Sequence, residues 1–140
     1  MENCVESLKK SGKLEYYEAV FNEWLQEETI EEVTLDVNTK NEYYLPHQAV
    51  IKENSTTKIR PVFNGSAKVR GIPSFNDCLE KNPNLVDHLP SIINRFRLKR
   101  IRVILDIKKA FLQIQLRESD RPFLRFLWWQ NGDPDKLKVF

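Results

Sequence analysis

The chain has 140 residues, 41% of them apolar and 30% charged, with a net charge of +2. That length suits one domain or part of a larger one, and a single hydrophobic core can form at this size. Eight Phe, four Tyr and three Trp exclude a disordered chain, and four Gly with seven Pro exclude collagen-like and low-complexity types. The longest apolar run is four residues, far short of the roughly 20 that cross a bilayer. Met1 to Lys10 has no signal-peptide pattern, so neither secretion nor a membrane partner is expected.

The small net charge hides a division. Residues 1–45 carry 4 Lys/Arg and 11 Asp/Glu, whereas residues 46–140 carry 18 and 9. An acidic first third joined to a basic remainder points to a polyanionic partner. The densest basic stretch is Arg95, Arg97, Lys99, Arg100 and Arg102, followed by Lys108 and Lys109. Aromatic residues recur between the cations, which favours nucleic acid over a membrane surface. Cys4 and Cys78 form no CxxC pair and have no metal-type spacing with His47 or His88, so both read as ordinary thiols.

In chain order, Leu14, Tyr17, Phe21, Trp24 and Leu25 recur at helical spacing and predict an amphipathic helix over 13–28, with Gly12 at its start. Ile30 to Val33 and Leu35 to Val37 are short β-type runs, and Asn38 to Asn41 reads as a turn. Tyr43 to Ile51 and Lys58 to Phe63 predict a hairpin around the polar loop 53–57. Pro46 and Pro61 suit edge positions. Residues 64–84 hold Gly65, Gly71, Pro73 and Pro83 and read as irregular. Pro90 opens a helix with Ile92, Ile93 and Phe96 on one face.

Strands are then expected at 101–106, 112–116 and 123–129. Asn131-Gly132-Asp133-Pro134 is a turn signal, and Leu137 to Phe140 begins a return strand. A strand broken off at Phe140 suggests truncation. The expected fold class is α+β. His47, Trp128 and Trp129 read as packing residues, and Asp77 and Asp120 as turn or helix-start acids.

Asp106 is the sharpest local feature, an acid expected at the end of an apolar strand and followed by Ile107-Lys108-Lys109-Ala110-Phe111. Three blocks precede it in order. They are Tyr43 to Glu53, Ser55 to Lys68, and Pro73 to Leu79 continuing to Ile92-Ile93-Asn94-Arg95-Phe96-Arg97. Together with Val103 to Phe111, these strings resemble the reverse transcriptases of BEL/Pao-type long-terminal-repeat retrotransposons over roughly residues 15–129. The resemblance implies a partial right-hand polymerase fold: an N-terminal acidic helical segment (1–42), a fingers-like region (43–100) and the start of a palm (101–140).

The same resemblance implies roles for residues. Asp106 would be the first catalytic, metal-binding carboxylate, with the Ile107 backbone carbonyl as a further metal ligand. Phe111 would lie under the sugar of an incoming deoxynucleotide. Lys52, Lys58 and Arg60 would contact triphosphate, and Lys58, Arg95 and Arg97 the template–primer. The implied cofactor is Mg²⁺, with Mn²⁺ as a substitute, because nucleotidyl transfer uses hard cations to clamp phosphate oxygens. The implied partners are an RNA or DNA template–primer, deoxynucleoside triphosphates and the rest of a retroelement polyprotein. The implied location is a cytoplasmic virus-like particle.

Three departures limit the activity expected. The family's aromatic-any-Asp-Asp string does not occur in these 140 residues, so the chain alone is expected not to polymerise DNA. Asn64 stands where the family commonly has an acid, and Glu53 where other branches often have a Lys. A non-catalytic nucleic-acid-binding remnant and a gene fragment with no role stay open as alternatives. Without further palm strands, the apolar faces of 101–106, 112–116 and 123–129 are expected to be exposed, which would limit solubility.

Overall fold

A computed structural model describes residues 1–34, 42–52, 58–80, 83–107 and 109–140. It is α+β, with two small antiparallel sheets and four α-helices among the described residues. The chain divides into two compact units. The first comprises Met1–Cys78 with Gln115–Phe140, and the second Leu79–Ile114. These units follow contacts, whereas the segments 1–42, 43–100 and 101–140 follow sequence motifs.

The first unit opens on α1 (Glu2–Lys10), a helix not foreseen from the sequence, which buries Val5 and Leu8. Its apolar stripe is short, with two buried residues in a nine-residue helix. What anchors it is tertiary. Lys9 Nζ donates to the carbonyl oxygen of Gly132 at 2.9 Å. Gly132 has φ +64°, and a Cβ there would come within 2.7 Å of Lys9 Cε and 3.1 Å of Val5 Cγ1. A glycine is therefore needed both for the backbone conformation and for the close approach.

The helix expected at 13–28 is α2 (Leu14–Gln26), with Tyr17, Phe21 and Trp24 buried at i, i+4 and i+7. It ends in a Schellman arrangement: Thr29 N–H donates to Trp24 O at 2.8 Å and Glu28 N–H to Leu25 O at 3.1 Å. Glu28 holds the left-handed position at φ 55°, where glycine is usual. An acid beside a helix C-terminus is also opposed by the helix dipole. Glu28→Gly is therefore expected to raise stability by about 0.5–1 kcal/mol, read as an upward shift of the urea midpoint.

The hairpin is present as β1 (His47–Ile51) and β2 (Ile59–Phe63), with His47 opposite Phe63 and Ile51 opposite Ile59. Pro61 sits in β2 opposite Ala49. This sheet has only two strands, so both are edges and a missing N–H is tolerated there. The second sheet pairs β3 (Leu127–Trp129) with β4 (Leu137–Val139) across the 131–134 turn. Reciprocal bonds between Phe126 and Phe140, at 2.8 and 3.0 Å, extend its ladder. A bridge between Tyr44 and Arg125 links the two sheets. Phe126, Trp128 and Phe140 then meet Tyr17, Phe21, Trp24 and Ile59 in one core.

Several local expectations change. Residues 30–33 form no strand, although Val33 N–H donates to Val139 O at 2.9 Å. The expected run at 35–37, the turn at 38–41 and the loop 53–57 lie outside the described residues. The irregular stretch contains a one-turn helix, α3 (Phe75–Cys78). Ser74, which is buried, and Asp77, which is exposed, cap it reciprocally: Ser74 N–H and Oγ–H donate to Asp77 Oδ2 at 3.0 and 2.8 Å, and Asp77 N–H donates to Ser74 Oγ at 3.3 Å. Asp77 is thus the helix-start acid expected of it. Ser74→Ala is expected to cost about 1 kcal/mol, seen as a lower urea midpoint.

In the second unit, a 3₁₀ turn (Leu85–His88) leads into α4 (Leu89–Leu98), with Pro90 in its first turn as expected. The strands expected at 101–106 and 112–116 are absent. Residues 102–107 belong to no helix or strand, and Ala110–Gln113 is a 3₁₀ turn. Within 123–129 only 127–129 is a strand, after the 3₁₀ turn Arg121–Leu124. The physical reason is pairing. A β-type composition becomes a strand only where a neighbour accepts its backbone bonds. Among the described residues, no backbone–backbone hydrogen bond involves 101–107.

Candidate nucleic-acid interface

The hairpin register sorts side chains by parity. His47, Ala49 and Ile51 share a face with Ile59, Pro61 and Phe63, and Ile59, Ala49 and Phe63 join the core. The opposite face carries Gln48, Val50, Arg60 and Val62, with Arg60 opposite Val50. Lys52 N–H donates to Lys58 O at 2.8 Å, so the ladder runs one residue past the strand ends. Lys52 and Lys58 therefore oppose each other on the face that carries Arg60. All three are exposed. The arrangement brings together the three cations singled out from the sequence, which were 52, 58 and 60 along the chain but had no assigned facing.

Placing Lys52 directly across from Lys58 costs folding energy, because like charges opposite one another repel. An anion laid on this face would relieve that repulsion. A guanidinium two residues from one of the ammonium groups adds a planar fork suited to phosphate oxygens.

The remaining expected site residues belong to the other unit. Arg95 and Arg97 are exposed in the last turn of α4. Two residues apart on a helix, they diverge by roughly 200°, so they form no common stripe. Their cationic charge also suits the helix C-terminus. Asp106 and Ile107 lie in the irregular stretch, both exposed, and Phe111 is 89% exposed on its 3₁₀ turn. Asp106 therefore does not end a strand, and Phe111 is not packed as the floor of a pocket.

Mg²⁺ takes several oxygen ligands in near-octahedral geometry. Among the described residues, no three His, Cys, Asp or Glu side chains gather where a metal ion could be held. The donor set around Asp106 does not fit a two-metal centre. Asn64 caps its own turn: its Oδ1 accepts from Ser66 N–H at 3.1 Å. Glu53 lies outside the described residues.

His47 is structural, as its isolation from other ligands suggested. Its Nε2 lies 2.9 Å from the carbonyl oxygen of Leu127, which can only accept. Nε2 therefore carries the proton, and Nδ1 accepts from the Tyr17 hydroxyl at 2.8 Å. Burial pushes the His47 pKa down and the Tyr17 pKa far up. Trp128 is a core residue as expected, 1% exposed, with Nε1 donating to Glu18 Oε1 at 3.3 Å. Cys4 and Cys78 are free thiols.

Sequence reasoning missed one polar cluster. Arg125 pairs with Glu42, and the Tyr44 hydroxyl also donates to Glu42. The Arg125 and Glu42 side chains are only 13% and 15% exposed. The partners are 83 residues apart, so no local spacing could have revealed them. The cluster lies at the Tyr44–Arg125 bridge between the sheets.

Among the described residues, no helix is long and apolar enough to cross a membrane. Compared with protein-family models, with curated proteins and with solved structures, the chain matches none.

Proposed function

We propose that the chain is the fingers and first palm segment of an RNA-directed DNA polymerase of the BEL/Pao retroelement type. In this form it binds template–primer without transferring nucleotides. The observation that carries the binding half is the hairpin register, which gathers Lys52, Lys58 and Arg60 on one exposed face. The four sequence blocks that resemble the family support the polymerase half. The absence of a fitting metal-donor set among the described residues favours binding over catalysis. Mg²⁺, a deoxynucleotide and the remaining polyprotein belong to a complete enzyme in which other carboxylates join Asp106. A virus-like particle in the cytoplasm is where such an enzyme works.

Anisotropy titration of a labelled RNA–DNA primer–template against the full chain tests the reading. The variant K52S/K58S/R60S is expected to bind at least about ten-fold more weakly. The slope of log affinity against log salt should fall by roughly 2–3, since each lost phosphate contact removes about 0.7–0.9. D106N should bind as the parent does, and no primer extension should be seen. Unchanged affinity and slope in the triple variant would refute the hairpin as the binding face.

A further inference from the structure

The segment Ile101 to Ile107 is an exposed apolar run in the second unit. Ile101, Val103, Ile104, Leu105 and Ile107 are 67–85% exposed. No backbone–backbone hydrogen bond involves the segment among the described residues. A β-branched, apolar run with unused backbone groups is a template for strand addition.

The order of its residues selects the partner. Read antiparallel against itself about Ile104, the segment sets Ile101 opposite Ile107, Arg102 opposite Asp106 and Val103 opposite Leu105. The two charges thus meet their opposites twice in a two-fold pair, and every apolar residue meets an apolar one. Read parallel and in register, the same sequence stacks Arg102 on Arg102 and Asp106 on Asp106, which repel. The charge pattern is therefore complementary to itself in one orientation only. One residue further out the sequence has Arg100 and Lys108, two cations that would face each other and limit the ladder to seven residues.

We propose that residues 101–107 are a homodimerisation strand, pairing antiparallel with the same segment of a second copy of this chain. Alternation puts Ile101, Val103, Leu105 and Ile107 on one face of the ribbon, with Arg102, Ile104 and Asp106 on the other. On the apolar face the cross-strand pairs Ile101–Ile107 and Val103–Leu105 add to the ladder bonds. Arg102 Nε donates to Lys99 O at 3.0 Å. One bond does not exhaust a guanidinium with five N–H donors. In this pairing Asp106 serves as an ion-pair partner, and the interface is isologous, as two-fold dimers require. A seven-residue ladder is small for a specific interface, so dissociation on the order of micromolar is expected. The inference does not depend on the hairpin's affinity for nucleic acid.

Sedimentation velocity of the full chain, from low micromolar to several hundred micromolar, tests it. The parent should pass from monomer to dimer. R102E and D106R should each dimerise about ten-fold more weakly, because two attractions become two repulsions. An equimolar mixture of R102E and D106R should recover parental affinity, since every charged position then faces its opposite. The double variant R102E/D106R should also recover it. Far-UV circular dichroism checks that each variant keeps the parental fold. A monomer at every concentration would assign the strand to a different chain or segment and overturn the proposal. So would a dimer indifferent to the charge swaps, or a mixture no tighter than the single variants.

Discussion

Trp128→Ala is expected to lower the unfolding free energy by about 3–5 kcal/mol, the range for deleting a buried large aromatic. Trp128 is 1% exposed, and its ring centroid lies 5.2 Å from that of Tyr17 and 5.4 Å from that of Phe21. It thus joins β3 to α2, elements more than a hundred residues apart in sequence. Removing it opens a cavity at the centre of the core and takes a hydrogen bond from Glu18. A domain of this size has only about 5–15 kcal/mol to lose, so much of the variant should be unfolded at moderate urea. Trp128→Phe keeps most of the apolar contact and should cost about 1–2 kcal/mol. Urea titration followed by far-UV circular dichroism reads both. A loss below about 1 kcal/mol for the alanine variant would show that this core is not what holds the unit together.

Acidification should destabilise the protein well above the range in which its carboxylates titrate. His47 is ringed by Tyr17, Phe21, Phe63, Phe126 and Trp128 at 5.5–6.0 Å between centroids. Burial holds its pKa below the ordinary value of 6.5. The fold thus favours the neutral ring, and the unfolded chain binds the proton more readily. The stabilisation is fully present above pH 6.5 and is lost as pH falls from there through the folded-state value. Protonation would also put an N–H on Nδ1, where the Tyr17 hydroxyl now donates. The Asp77 pKa, lowered to about 2 by Lys68 and then by Ser74, works in a separate window. Its contribution is present above the ordinary 3.8 and lost only as pH falls toward 2. Chemical denaturation at pH 7.5 and at about pH 5 should show the histidine effect alone. His47→Gln, which does not titrate, should flatten the difference. An unchanged slope in that variant would place the acid sensitivity elsewhere.

The hairpin and α2 were readable because their patterns are local and strong. Tyr17, Phe21 and Trp24 repeat on one helical face, and two β-type runs flank a polar loop. The 131–134 turn was readable for the same reason, since Asn-Gly-Asp-Pro specifies a reversal in four residues. The candidate cations were legible as residue types. Their common face was not, because facing depends on the pairing register of two strands and not on either strand alone.

The segment 101–107 shows the opposite case. Its β-type composition suggests a strand, but a strand is a relation between two chains of backbone groups. Without a neighbour among the described residues it takes no regular form, and Asp106 loses the strand-end position that suggested catalysis. The same holds for Phe111, whose place under a sugar requires a surface packed around it. Helix α1 is short, and its anchor is Gly132, far along the chain, so nothing local to residues 2–10 records the contact that holds it.

By itself, the sequence determined the amphipathic helix, the hairpin, the 131–134 turn and the division of charge, all of which follow from residue composition, side-chain period and backbone stereochemistry within short windows. Only the tertiary structure decided that Lys52, Lys58 and Arg60 share a face, that His47 is held between the Tyr17 hydroxyl and the Leu127 carbonyl, that Glu42 and Arg125 pair, and that Asp106 lies outside any strand. Each of those depends on contacts between distant segments, whose energies no local pattern records.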